Sequence, residues 1–285
     1  MPSFLDGITV MKEATIAFIG GGNMARSLIG GLIADGVSAH RLRVADVNTD
    51  SLERLQAQYG VATFTDNSAA AHGAQVILLA VKPQAARAVA IELGASLERH
   101  RPLVISIVAG LRNADLARWL GYDAAIVRTM PNTPSLVRSG ATALHANLGV
   151  NPTQRAQAES ILRAVGLTLW LDNEEQMDAV TALSGSGPAY FFLVMELLQR
   201  AATTLGLPPE TARLLTLQTA FGAAKMALES SEDAATLRQR VTSPGGTTEQ
   251  ALKVFDERGL ERIFGDALAA AQHRAQELAE QLGRS

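Results

Sequence analysis

The stretch Ala14-Thr15-Ile16-Ala17-Phe18-Ile19-Gly20-Gly21-Gly22-Asn23-Met24-Ala25 decides the fold. A short β-type run ends in glycines and passes at once into a helical pattern, the strand–turn–helix that a G-x-G-x-x-A motif requires. Gly20 permits the tight turn, Gly22 lets the backbone approach a pyrophosphate, and Ala25 gives close helix-to-strand packing. Gly20, Gly22, Asn23, Met24 and Ala25 are therefore expected to hold a dinucleotide on the positive end of a helix running from about Asn23 to Asp35.

From Thr15 to Trp170, short β-branched runs alternate with helical stretches, as a doubly wound (Rossmann-type) parallel sheet demands. The expected strands are Thr15 to Ile19, Arg41 to Ala45, Val61 to Phe64, Gln75 to Val81, Leu103 to Ile107, Ala125 to Arg128, Ala141 to His145 and Leu167 to Leu171. Ligands bind beyond the carboxyl ends of such strands. That places Ala80-Val81-Lys82-Pro83, Ala109, and Asn132 of the rigid loop Met130-Pro131-Asn132-Thr133-Pro134 along the cofactor cleft. Asn67 either touches the adenosine side or caps the helix that follows it. Asp46, at the end of the second strand, accepts hydrogen bonds from ribose hydroxyls and repels a 2′-phosphate, which leans the choice between NADPH and NADH toward NADH. Arg41 and Arg43 remain as counter-charges for a phosphate.

After Asn173 the chain reads as helices only: Glu174 to Leu183, Pro188 to Leu205, Pro209 to Glu229, Ala234 to Arg240, Thr247 to Arg258 and Leu260 to Leu282. The fold class is thus α/β over residues 1–172, with 1–13 a loose tail, followed by an all-helical domain over 173–285. The run Pro188 to Leu198 is apolar nearly all round, which calls for burial on every side. A second subunit interleaving its helices supplies that cover, so a homodimer is expected, with a monomeric bundle as the alternative. Ser184-Gly185-Ser186-Gly187 reads as a packing hinge before Pro188. In Val241-Thr242-Ser243-Pro244-Gly245-Gly246-Thr247-Thr248, four hydroxyls and a Pro-Gly-Gly turn stand at the start of an amphipathic helix, a combination able to hold a small carboxylate on unpaired N–H groups.

Of the 285 residues 47% are hydrophobic and the formal net charge is −3, with no basic run. Neither a nucleic acid nor an anionic membrane surface is an expected partner, and a small molecule is. With no cysteine and five scattered histidines, thiolate chemistry is excluded and no metal site is expected. No apolar stretch is long enough to span a membrane, and the cytoplasm is the expected compartment.

Together the glycine turn, Ala80-Val81-Lys82-Pro83, Met130 to Pro134, Ser184 to Tyr190 and Thr242 to Thr248 resemble the pyrroline-5-carboxylate reductases, in that family's order and spacing across almost the whole chain. The resemblance implies reduction of L-1-pyrroline-5-carboxylate to L-proline with NADPH or NADH, the last step of proline biosynthesis. It also implies a helix-swapped homodimer, with dimers assembled into a ring of five. Carried over by position, the substrate loop falls on Val241, Ser243, Gly245, Gly246, Thr247 and Thr248, and a substrate-side acid on Glu174. Amides near Gly246, Thr247 and Thr248, with the Ser243 hydroxyl, would grip the carboxylate, and Thr248, the expected catalytic residue, would hydrogen-bond the ring nitrogen. Family members preferring NADPH show small hydroxyl residues or an Arg where this chain has Asp46-Val47. Other readings compete: a β-hydroxyacid dehydrogenase, disfavoured because no lysine occurs from Ser184 to Gln199, another imine reductase, and a non-catalytic dinucleotide sensor, disfavoured by the intact hydroxyl loop.

Overall fold

The computed structural model describes residues 13–284, so the tail expected over 1–13 lies outside the described residues except for Glu13. The strands are β1 (Ile16–Ile19), β2 (Leu42–Ala45), β3 (Ala62–Phe64), β4 (Val76–Leu79), β5 (Leu103–Ser106), β6 (Ile126–Met130), β7 (Gly140–Ala146) and β8 (Gly166–Trp170). They form one sheet in the order β3-β2-β1-β4-β5-β6-β7-β8, which reverses direction between β1 and β4 and opens a crevice at their carboxyl ends. One pairing departs from the expected parallel sheet. β6 and β7 run antiparallel, with Arg128 opposite His145 and Thr129 opposite Leu144. The connection between them holds only the 3₁₀ turn Thr133–Val137, too short for the crossover that parallel neighbours need.

Helices α1 (Asn23–Ala34), α2 (Thr49–Tyr59), α3 (Asn67–Ala71), α4 (Pro83–Glu98), α5 (Asn113–Leu120) and α6 (Pro152–Arg163) cover the sheet. β1, β4 and β5 are buried along their whole length, and alternate residues feed two separate apolar layers. Phe18, Leu78 and Ile105 join Leu28, Ile29 and Leu32 of α1 on one side. Ile19, Ile77 and Val104 join Ala86, Ala90 and Leu93 of α4 on the other. A sheet clad on both faces thereby fixes the position of the strand ends that a ligand would meet.

Residues up to Ser186, together with those from Ala271 onward, form one compact unit, and Gly187–Ala270 form the other. Before that boundary lies α7 (Gln176–Val180), narrower than expected, continued by a π-helical turn, Thr181–Gly185. There the Ser186 N–H reaches back five residues to the Thr181 carbonyl at 2.9 Å. Pro188 has no N–H to give the Ser184 carbonyl, so a regular α-turn would lose a bond there; the expected hinge is this widened turn. In the second unit α8 (Gly187–Thr204) packs against α9 (Pro209–Glu229), followed by α10 (Ala234–Arg240), α11 (Thr247–Glu257) and the start of α12 (Leu260–Arg284). Within a single chain the α8 run is not buried on every side. Phe191 is 68% exposed and Phe192 65%, and Phe221 of α9 is 62% exposed. Monomers rarely leave so much contiguous apolar surface in water.

Candidate functional site

The site begins at the β1–α1 turn. Gly20 has φ +106°, and a Cβ there would lie 2.4 Å from the Ala80 carbonyl oxygen at the end of β4, so only glycine lets the two strand ends come this close. The loop is braced from β2. Asp46 accepts the Gly21 N–H through Oδ2 at 2.6 Å and the Asn48 N–H through Oδ1 at 2.8 Å, while the Ser51 hydroxyl donates to the Gly21 carbonyl at 2.8 Å. Gly22 caps α1 with no side chain, which leaves the first-turn N–H groups, at Asn23 and Met24, without a side-chain acceptor. A Cβ on Gly22 would meet no atom within 4 Å. Ala25 is buried against the sheet, so the turn sits low and its amides face outward. Amides, dipole and clearance together fit a pyrophosphate.

Other expected cofactor residues have more defined roles. Asp66, not Asn67, caps α3, accepting the Ala69 N–H at 2.7 Å; the Asn67 amide donates to Glu92 at 3.2 Å. Arg43 donates to the His72 carbonyl at 2.6 Å, beyond the end of α3, so it is committed away from a phosphate at the end of β2. Ala80 and Val81 are half-buried at the end of β4, Lys82 is exposed at the N-cap of α4 and forms no ion pair among the described residues, and Pro83 takes the first helical position. Ala109 is exposed after β5. The Asn132 side chain spans two segments. Its Oδ1 accepts the Ala141 N–H at 2.9 Å, and its Nδ2 donates at 3.1 Å to the Ser184 carbonyl that Pro188 cannot serve.

Glu174 does not lie in the first turn of its own helix. It precedes α7 and receives, on Oε1, the Asn113 N–H at the start of α5 (2.8 Å) and Nη1 of Arg128 (3.1 Å). The Arg128 side chain is 6% exposed, and its Nη2 stands 3.7 Å from Asp178. The Asn113 amide nitrogen contacts Nδ1 of His145 at 3.0 Å. Asp178 lines a cavity of about 480 Å³ shared with Pro83, Gln84, Ala109 and Gly110 at the ends of β4 and β5. Sequence reasoning missed Arg128 and Asp178. The available signal was a lone arginine inside an otherwise apolar strand.

The hydroxyl segment 241–248 belongs to the second unit, apart from Glu174 in the first. Gly245 has φ +74°, and Gly246 caps α11 without a side chain. The Gly246 N–H is not available to a ligand, because it donates to the Ser243 carbonyl at 3.0 Å and closes the turn. The Gly245 N–H donates at 2.9 Å to Glu249, an acid that the motif reading overlooked although an acid three residues past a cap is a known signature. The amides of Thr247 and Thr248 head the helix without a side-chain cap, beside the exposed Ser243. Val241 ends α10 exposed, and the Thr242 hydroxyl donates to the Arg238 carbonyl at 2.7 Å. Among the described residues no group of His, Asp or Glu side chains is arranged to hold a metal, and no helix is long and apolar enough to cross a membrane.

Comparison with known proteins bears on both units. Residues 174–278 match the family profile "Pyrroline-5-carboxylate reductase dimerisation", and residues 15–110 match "NADP oxidoreductase coenzyme F420-dependent". A curated pyrroline-5-carboxylate reductase of Pseudomonas aeruginosa is 51% identical over 96% of this chain and 100% of its own length. Among solved structures, a pyrroline-5-carboxylate reductase from Coxiella burnetii aligns with a TM-score of 0.90 and 51% identity, covering 93% of this chain and 98% of that one. The Plasmodium falciparum pyrroline carboxylate reductase with NADP bound aligns with a TM-score of 0.83 and 28% identity, covering 94% and 99%. The braced glycine turn, the uncapped head of α11 and full-length likeness at this identity lead to one conclusion: the chain belongs to the pyrroline-5-carboxylate reductase family.

Proposed function

We infer that this chain reduces L-1-pyrroline-5-carboxylate to L-proline, the last step of proline biosynthesis, with hydride from a nicotinamide dinucleotide. The observation that carries this is the 51% identity running the whole length of the Pseudomonas aeruginosa reductase, with glycine turn and hydroxyl loop both intact. A bound dihydronicotinamide supplies the hydride at the carboxyl ends of β4 and β5. Gly20, Gly22, Asn23, Met24 and Ala25 hold the pyrophosphate, Ala80, Val81, Lys82, Pro83 and Ala109 line the path to the nicotinamide, and Asn67 lies on the adenosine side. Asn132 steadies the turn beside that path through its bonds to Ala141 and Ser184. NADH is favoured because Asp46 puts a carboxylate at the end of β2 and Arg43 is held elsewhere.

The substrate carboxylate is gripped by the Thr247 and Thr248 amides and the Ser243 hydroxyl, in the loop shaped by Val241, Gly245 and Gly246. Glu174 is the acid on the substrate side. Thr248 polarises the ring nitrogen rather than titrating, since a hydroxyl is a poor proton source near neutral pH. The working division falls at residue 173, supported by the dimerisation match that starts at 174. The dimerisation match makes the protein a homo-oligomer; we assign it a homodimer of interleaved helices, built further into a ring of five dimers, and a cytoplasmic setting. Side-by-side oxidation of NADH and NADPH with pyrroline-5-carboxylate tests the activity. Thr248→Ala is expected to lower kcat/KM at least ~10-fold, equivalent to a lost transition-state hydrogen bond of ~1.4 kcal/mol. Full activity in that variant removes Thr248 from the mechanism.

A further inference from the structure

We propose that Asp178 is a specificity-determining carboxylate that meets the positively charged ring nitrogen of substrate and product, and that Arg128 positions it. The proposal rests on the reading above only in placing the reacting ring at the carboxyl ends of β4 and β5.

The first argument is the charge count. Among the described residues Arg128 is the one ammonium or guanidinium group in contact with Glu174 and Asp178, so the three side chains carry one unbalanced negative charge. Sharing is also unequal. Glu174 Oε1 takes two donors, Nη1 of Arg128 and the Asn113 N–H, whereas the Asp178 carboxylate receives no hydrogen bond from any described residue and stands 3.7 Å from Nη2 of Arg128. His145 is one step removed, through Asn113. The Asp178 side chain is 10% exposed, and an ionised carboxylate so deeply placed needs donors to offset its lost hydration.

The cavity indicates where the donor comes from. Asp178 faces the space beside Ala109 and Gly110 at the strand ends, whose wall adds the apolar Ala275, Leu278 and Leu282 of α12, the amides of Gln84 and Gln281 and, among the described residues, no cation. Thr181 also lines it, but its hydroxyl donates to the Met177 carbonyl at 2.8 Å. The matching ligand is a small ring whose nitrogen is cationic and bears hydrogen: the protonated imine, and the secondary ammonium of the product. When hydride adds to the carbon of the C=N⁺ bond, the π pair becomes the nitrogen lone pair; the neutral amine then takes a proton from water. A carboxylate beside the nitrogen favours the protonated imine, the form that accepts hydride more readily.

The test compares two ligands of the NADH-loaded enzyme by calorimetry: L-proline and tetrahydro-2-furoate, the same ring and carboxylate with oxygen in place of the ammonium. Wild-type enzyme is expected to bind L-proline at least ~10-fold more tightly, the scale of a charge-assisted hydrogen bond. Asp178→Asn is expected to bring the ratio to within about threefold of unity while the affinity for tetrahydro-2-furoate holds. A merely structural role would weaken both ligands alike. Equal affinities in wild-type enzyme, a measurement that needs no variant, or an unchanged ratio in Asp178→Asn would overturn the proposal. Should wild-type enzyme also fail to oxidise NADH or NADPH with pyrroline-5-carboxylate, the functional reading falls, and this inference with it.

Discussion

Two glycines separated by one residue are expected to respond to alanine in opposite ways. At Gly20 the added methyl would sit 2.4 Å from the Ala80 carbonyl oxygen and 2.7 Å from its carbon, backbone atoms that cannot rotate away, at φ +106°. A side chain forced into such a conformation costs about 1–3 kcal/mol, and overpacking adds about 1–3. Gly20→Ala should therefore destabilise the protein by roughly 2–6 kcal/mol, lowering the apparent Tm by about 5–20 °C at fixed protein concentration. At Gly22 the methyl meets nothing within 4 Å, and the backbone lies at φ −70°. Gly22→Ala should lose less than about 1 kcal/mol of stability, the scale of an N-cap change. On the proposed reading the pyrophosphate comes closest over Gly22, so NADH affinity should fall ~10-fold or more. Calorimetric melting and equilibrium titration with NADH read the two effects separately. A Gly22→Ala protein that binds NADH normally, or a Gly20→Ala protein as stable as wild type, would refute the reasoning.

Three further outcomes are expected. Asp46→Ser removes a negative charge at the end of β2; taking ~6 Å and an effective dielectric of ~40 as the scale for its repulsion of a 2′-phosphate, the NADPH-to-NADH ratio of kcat/KM should rise ~10-fold, and a constant ratio would detach Asp46 from cofactor choice. Tyr122 is buried with no partner for its hydroxyl, and burial pushes the phenol up from 10.0 to about 12. The unfolded chain then ionises first, so stability holds below pH ~10 and declines by up to about 2 kcal/mol between pH ~10 and ~12. Tyr122→Phe should abolish that loss while staying within ~1 kcal/mol of wild type at pH 8, and urea unfolding at pH 8 and 11 checks both points. Phe191→Glu puts a charge on a face that one chain leaves 68% exposed, and sedimentation should show dissociation; an unaltered mass would place the interface elsewhere.

The central strands could be located in the chain because a strand inside a clad sheet must be apolar on both faces, as Ile16–Ile19 and Val76–Leu79 are. The antiparallel return of β7 was less legible, since direction depends on whether the connecting segment can cross the sheet. The cofactor turn was readable from three glycines because its function is a backbone property. Arg128 was not: a lone charge in a strand does not reveal that Glu174 and Asp178 will close on it from a later segment. Asn132 was legible as a residue of the loop along the cleft, but not that its amide would serve a carbonyl orphaned by Pro188, a pairing that exists only once the loop after β6 meets the widened turn.

Periodicity, glycine and proline punctuation, and short-range caps are local, so residue order alone determined the succession of elements, the glycine turn after β1 and the head of α11 without a side-chain cap. Folding decided which polar atoms remain free for a ligand. Arg43 went to a helix end, the Gly246 amide to its own turn, and Oε1 of Glu174 to Arg128 and Asn113, whereas the Asp178 carboxylate was brought to a cavity without a hydrogen bond from any described residue. Hydrogen-bond satisfaction depends on neighbours distant in the chain, and only tertiary packing supplies them.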